Sequence, residues 1–257
     1  MRRLSTTAAA RYTLTYFNSR GAAEPIRLLL ALSGEPWHDI RYPMAAARGG
    51  FTLAKQFLKD REAGAFAVNM GSLPVLDVRG PSGDVQRLGQ SHAIARFLAR
   101  SHELMGSTPE EAAAVDLLYE CVRDIKTRWF RVKATKDAPD NDGEAGAARR
   151  DAKRRWWTSQ MPEACEQLEG ALLAASPASE SPWLVGDALS LADVAVYHLL
   201  STPTSVASGS CVGFFDGEAE RVRAASAPCS RLSASVHAFG ALPAVREWER
   251  RRPDTFS

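Results

Sequence analysis

The chain has 257 residues, 45% of them hydrophobic, with 32 Lys+Arg against 30 Asp+Glu for a net charge of +2. That balance excludes disorder, collagen and a disulfide scaffold, and it leaves no bulk field to recruit nucleic acid or anionic lipid. Cys121, Cys165, Cys211 and Cys229 lie far apart without CxxC spacing. They read as reduced thiols of a cytosolic-type protein, not as a metal site. Apolar runs such as Leu28–Leu32 fall far short of the roughly 18 residues of a membrane-spanning helix.

Residues 1–10 carry Arg2, Arg3, Ser5, Thr6 and Thr7 with no apolar h-region, and read as a flexible basic tail. Arg11–Phe17, rich in Tyr, Thr and Phe, predicts a strand. Glu24–Leu32 places Ile26, Leu29 and Leu30 on one helical face, with Gly34 as the stop. His38–Tyr42 predicts a second strand. Leu73–Val78 and Val85–Leu88 flank Arg79-Gly80-Pro81-Ser82-Gly83-Asp84, a hairpin turn, and Ser91–Ala99 predicts a helix.

Composition shifts near residue 105 towards long Ala/Leu/Arg/Glu stretches. Pro109–Trp129 shows Ala112, Val115, Leu118, Tyr119 and Val122 at helical spacing, with Thr108 as its cap. Asp137–Gly146 predicts a loop. Ala148–Leu173 is helical again by the same reading, opening with Arg149, Arg150, Lys153, Arg154 and Arg155, which read as a solvated face. Thr202–Arg231, rich in Ser, Ala and Gly, predicts a long loop. Ser190 and Asp193 are spaced as a capping box, with Leu189 and Val194 as the hydrophobic staple.

One segment carries chemistry: Tyr12-Thr13-Leu14-Thr15-Tyr16-Phe17-Asn18-Ser19-Arg20-Gly21-Ala22-Ala23-Glu24-Pro25-Ile26-Arg27. It ends a strand on an aromatic hydroxyl and turns through Gly21 into a helix N terminus, a place suited to stabilising an anion. Four later stretches accompany it in order. They are Gly71-Ser72-Leu73-Pro74-Val75-Leu76, Gly89-Gln90-Ser91-His92, Trp183–Asp187 with Leu189–Asp193, and Leu242–Trp248 running on to Pro253.

Together these motifs resemble the cytosolic glutathione S-transferases, the sigma class most closely, over residues 11–256. The resemblance implies an α/β, thioredoxin-like glutathione-binding domain over 11–102. An all-α domain over 107–257 follows, holding the acceptor-substrate pocket. It implies a cytoplasmic homodimer that conjugates glutathione, as co-substrate, to hydrophobic electrophiles in detoxification, with no nucleic acid, membrane or metal partner. The rivals are a glutathione-dependent isomerase of the prostaglandin D synthase kind and a non-catalytic structural relative.

Residue by residue, the resemblance makes Tyr16 the group that activates the thiol. Leu73, before a cis Pro74, pairs with the cysteinyl backbone. Gln90 and Ser91 receive the γ-glutamyl carboxylate, and Lys55 the glycyl carboxylate. Asp116 reaches the γ-glutamyl ammonium of the neighbouring subunit. Departures are Ala22, where the family has an arginine that Arg20 partly replaces, Phe51 in place of a tryptophan, and Ser72 in place of a longer polar residue. Glu120 and Asp124 stand where acids cluster in the prostaglandin branch, with Arg123 between them.

Overall fold

Strand β1 (Tyr12–Phe17) alternates buried and half-buried residues, with Tyr12 and Leu14 fully buried. In the computed structural model, which describes residues 11–47, 50–134, 144–176, 180–202, 214–215, 217–253 and 255, β1 sits near the centre of a four-stranded sheet. A 3₁₀ turn at Gly21–Ala23 leads into α1 (Glu24–Ser33), which has Pro25 in its first turn and Gly34 as a left-handed cap at φ +68. Pro at the start and Gly past the end mark a helix at both limits. β2 (Trp37–Tyr42) then returns parallel to β1 in the register Tyr12↔Trp37 to Phe17↔Tyr42.

β3 (Met44–Ala47) and β4 (Gly50–Leu53) form a small separate ladder, and α2 (Lys55–Glu62) follows. The sequence reading did not identify these three elements, whose few apolar residues carry neither a helical nor an alternating period. β5 (Val75–Arg79) and β6 (Val85–Gly89) make the expected hairpin and complete the order β2-β1-β5-β6. α3 (Ser91–Ser101) buries Ile94, Ala95, Leu98 and Ala99. The described residues divide into two compact units, one of the residues up to Ala47 with Phe51–Leu98, the other of Gly50 with the residues from Ala99 on.

The second unit is helical: α4 (Pro109–Ala134), α5 (Glu144–Arg155), α6 (Met161–Ala175), α7 (Leu191–Leu200), α8 (Ala219–Ser226), α9 (Ser230–Ala241) and α10 (Pro243–Arg251). Thr108 caps α4 as expected, its Oγ1 accepting from the Glu111 amide at 3.1 Å. Every residue of α7 is buried, the mark of a helix packed all round; its neighbours include α4 and α9. Its entry is the expected capping box. Asp193 accepts from the Ser190 amide (2.9 Å), Ser190 Oγ (2.8 Å), the Leu184 amide (3.0 Å) and Ser235 Oγ (2.7 Å).

Two loop expectations in this unit need correction, and one helical stretch holds with an interruption. Ala148–Leu173 is helical throughout, as expected, with a π-turn at Trp156–Gln160 separating α5 from α6, which Pro162 opens. Pro162 has no N–H to continue the ladder, and the wider turn lets the adjacent Trp156 and Trp157 both face inward. Their rings lie 5.4 and 5.5 Å from that of Trp129. Within Asp137–Gly146, the described residues from Glu144 on already belong to α5.

Thr202–Arg231 is no continuous loop either. α8 forms within it by burying Val222 and Ala225, and α9 begins at Ser230. Residues 1–10, read as a tail, most of 137–147, and 203–213 with Cys211 among them lie outside the described residues. The basic run of α5 is a solvated surface, Arg154 and Arg155 pairing with Asp151 and Lys153 with Glu218. No helix among the described residues is long and apolar enough to cross a membrane.

Candidate active site

Tyr16 is placed by β1 and by a small aromatic cluster. Its ring packs beside Phe57, Phe66, Leu73 and Val75, and meets Phe17 edge-on at 5.5 Å. Tyr16 Oη accepts a hydrogen bond from the Ala22 amide at 3.2 Å. A phenol that accepts from a backbone amide keeps its own hydrogen to donate outward. Gly21 makes that approach possible: it sits at φ +39, and a Cβ there would lie 2.7 Å from Tyr16 Oη. Burial raises the Tyr16 pKa above the ordinary phenol value, while the Ala22 amide and the Arg27 charge pull it back. The hydroxyl is therefore neutral and a donor near neutral pH.

Arg27 is the residue the sequence reading missed here. It is fully buried, and Nη1 donates to the Ser19 carbonyl at 2.6 Å and Nη2 to the Phe17 carbonyl at 3.4 Å. Nε donates to Asp39 at 3.1 Å, Glu24 stands 3.6 Å away, and the guanidinium lies 5.7 Å from the Tyr16 ring centroid. A buried charge held this way fixes the chain that follows Tyr16. Its signal was present, since Glu24 and Arg27 are three apart on a face otherwise apolar. Arg20, the expected stand-in for the missing arginine, is 3% exposed, and its carbonyl accepts from the Ala23 and Glu24 amides at 3.1 and 3.0 Å.

The second wall is the turn before β5. The Leu73–Pro74 bond is cis, as expected, and Leu73 is buried while Ser72 is exposed. β1 pairs with β5 as far as Thr15↔Val75, so Tyr16 and Pro74 are the next positions along the two strands. Asn69, also unread from sequence, is 3% exposed. Its Nδ2 donates to the Pro74 carbonyl at 2.9 Å and its Oδ1 accepts from the Gln90 amide at 2.9 Å.

One side chain thus ties the cis-proline turn to the start of α3. Gly89 permits the approach, for a Cβ there would lie 2.7 Å from both Asn69 Cβ and the Val68 carbonyl oxygen. Gln90 takes a left-handed φ of +66, and Ser91 opens α3. A helix N terminus offers backbone N–H groups to a carboxylate. Phe51 lies on β4, and Lys55 is exposed at the first position of α2.

Asp116 is half-buried on α4, in the other unit. Further along α4, Arg123 Nη2 stands 2.6 Å from Glu120 and 3.6 Å from Asp124, so those two acids already have a cation between them.

Residues 123–252 match the glutathione S-transferase C-terminal domain model. A probable glutathione S-transferase 5 of Caenorhabditis elegans is 30% identical over 95% of this chain and 98% of its own length. The chain belongs to the glutathione S-transferase family. This transferase is also 27% identical to the hematopoietic prostaglandin D synthase of Gallus gallus, over 95% of the chain and 98% of that protein. Among solved structures, a monomeric glutathione S-transferase of the hookworm Necator americanus superposes with a TM-score of 0.68 at 26% identity. That match covers 95% of this chain and 98% of the other.

Proposed function

We propose that this transferase binds glutathione in the thioredoxin-like domain, residues 11–102, and adds its thiolate to hydrophobic electrophiles held by the helical domain, residues 107–257. The observation that carries the reading is the Tyr16 hydroxyl, held by the Ala22 amide at 3.2 Å with its hydrogen left to donate. A free thiol of pKa about 8.5 is only ~3% ionised at pH 7, and a two-unit depression raises that to ~75% for about 2.7 kcal/mol. Thiolate, not thiol, is the nucleophile, so one well-placed hydrogen bond supplies much of the activation. The rest comes from holding both reactants together.

Around the sulfur, the reading gives Leu73 and cis Pro74 the cysteinyl backbone, with Ser72 at the rim of the turn. Gln90 and the amides at Ser91 take the γ-glutamyl carboxylate. Lys55 takes the glycyl carboxylate, with Phe51 and Arg20 contributing to the walls. Asp116 completes the site of a neighbouring subunit in a homodimer of the sigma class, working in the cytoplasm in detoxification. The likeness to the Gallus gallus prostaglandin D synthase supports glutathione-dependent isomerisation as the second reading.

The test is Tyr16→Phe, which keeps the ring in its cluster. Glutathione affinity stays nearly unchanged while turnover falls about 10- to 150-fold, the value of a hydrogen bond to a charged group of ~1.5–3 kcal/mol. The pH–rate profile moves to higher pH, because the bound thiol loses the group that favours its ionised form. Identical thiolate titrations of the two complexes would remove Tyr16 from this role. Assaying prostaglandin D formation beside a panel of electrophiles separates the two readings.

A further inference from the structure

Asp39 on β2 is shared by two arginines. Its Oδ2 accepts from Arg27 Nε at 3.1 Å and from Arg41 Nε at 2.7 Å, and its Oδ1 accepts from Arg27 Nη2 at 3.4 Å. The Asp39 and Arg41 side chains are 15% and 13% exposed, and that of Arg27 is fully buried. Two guanidiniums brought together out of water repel each other, and the carboxylate between them offsets the repulsion. Glu24, 3.6 Å from Arg27 Nη1, is the acid that α1 adds to the same group. The Arg41 pKa bears the mark of this balance, lowered by burial and by the Arg27 charge and pulled back by Asp39.

Both arginines end on the segment that follows Tyr16. Arg27 donates to the Ser19 and Phe17 carbonyls, at 2.6 and 3.4 Å, and Arg41 Nη1 donates to Asn18 Oδ1 at 3.3 Å. The Asn18 amide donates to the Tyr42 carbonyl at 2.8 Å. In the parallel register Tyr16 stands beside Arg41 and Phe17 beside Tyr42, so the segment leaves β1 against the end of β2. It runs on through Gly21 to the Ala22 amide, which donates back to Tyr16 Oη. The hydroxyl and the amide that orients it are therefore two ends of one loop, and their separation is set by whatever pins the middle. Small errors in placing a reacting group are costly in rate.

We propose, building on the Tyr16 reading on which this rests, that Asp39 is a positioning residue for thiol activation. Acting through Arg41 and Asn18, it holds the Phe17–Ser19 segment and with it the register of the Tyr16 hydroxyl on the Ala22 amide. A position effect and a field effect have opposite signs here. Losing an anion would by its field alone favour the thiolate and lower the thiol pKa. Losing the pin loosens the donor to sulfur and raises it.

The test compares Asp39→Asn, Asn18→Ala and Tyr16→Phe, and the first two again in the Tyr16→Phe background. Each protein is titrated for thiolate absorbance of its glutathione complex and assayed for kcat and KM. Asp39→Asn and Asn18→Ala each move the thiol titration up by about half to one pH unit and lower kcat at pH 6 about three- to tenfold, with KM for glutathione within about twofold. Neither change adds to Tyr16→Phe, because both act through the hydroxyl which that variant lacks. A titration that moves down in Asp39→Asn overturns the proposal, as does an effect that persists in full without the hydroxyl. Asn18 is half-buried and uncharged, so Asn18→Ala leaves the ion pairs in place and decides the matter if Asp39→Asn does not fold. A shift in Tyr16→Phe without one in Asn18→Ala overturns this proposal alone, whereas no shift in Tyr16→Phe overturns the Tyr16 reading and this proposal with it.

Discussion

Replacing Gly21 with Ala tests whether the Tyr16 hydroxyl is held where the chemistry needs it. The new Cβ would lie 2.7 Å from Tyr16 Oη, 3.3 Å from Cε1 and 3.4 Å from Cζ, at a backbone φ of +39. The backbone conformation alone costs an L residue about 1–2 kcal/mol. The contact must then be relieved, and the freest group is the Tyr16 ring tip, which is half-buried, rather than the cluster at its base. Any such shift lengthens the 3.2 Å bond from the Ala22 amide and moves the hydroxyl off the thiol. Losing a charge-assisted bond of ~1.5–3 kcal/mol lowers kcat/KM by about 10- to 150-fold.

Gly34→Ala is the control. It carries a similar backbone penalty at φ +68, but nothing lies within 4 Å of its Cβ. Both variants should lose comparable stability in chemical denaturation, and only Gly21→Ala should lose activity. Equal activities in the two variants would refute the argument, whether both fall or neither does.

Asn69→Ala leaves the Gln90 amide and the buried Pro74 carbonyl without the side chain that joins them. KM for glutathione should rise about tenfold with kcat little changed, alongside a loss of roughly 2–3 kcal/mol read from the denaturation midpoint. Asp193→Ala removes an acceptor of four hydrogen bonds, two of them from backbone amides, and should cost about 3–5 kcal/mol. Burial raises the Asp193 pKa in the folded protein. The folded state therefore holds the proton more tightly than the unfolded chain. That contribution is present below the ordinary carboxylate value of about 4 and is lost as pH rises through the folded pKa. The stability advantage over the alanine variant should accordingly be larger in acid than at neutrality, as measured by denaturation across that range.

What the sequence displayed, and what it hid, divides along physical lines. β1, α1, the β5–β6 hairpin and the cap of α7 were legible, because alternation, a Pro–Gly pair, a Gly/Pro turn and Ser/Asp spacing each have a local cause. The cis bond before Pro74 followed from the family motif. Arg27 and Asn69 were not read, because their importance comes from burial, and burial is decided by elements far along the chain. Arg27 spans from the Phe17 and Ser19 carbonyls to Asp39, and Asn69 from Pro74 to Gln90. The π-turn inside the helical stretch Ala148–Leu173 depended on Pro162 and on two adjacent tryptophans both needing the interior. α8 depended on burying Val222 within a stretch whose composition reads as loop.

Ala22 looks at first like a defect in the site, since the family places an arginine there. The geometry makes it a lesser loss. The group that meets Tyr16 Oη is the backbone amide of Ala22, and any residue except proline supplies one. What an arginine would add is positive charge, and Arg27 already lies 5.7 Å from the Tyr16 ring centroid and opposes the rise in its pKa. Unlike a flexible surface arginine, Arg27 is fixed by two carbonyls and by Asp39. Its field at the phenol therefore costs no side-chain ordering when glutathione binds. On the proposed reading, the donor aimed at sulfur is Tyr16 held by the Ala22 amide, and Arg27, paired with Asp39, is the fixed cation beside its ring.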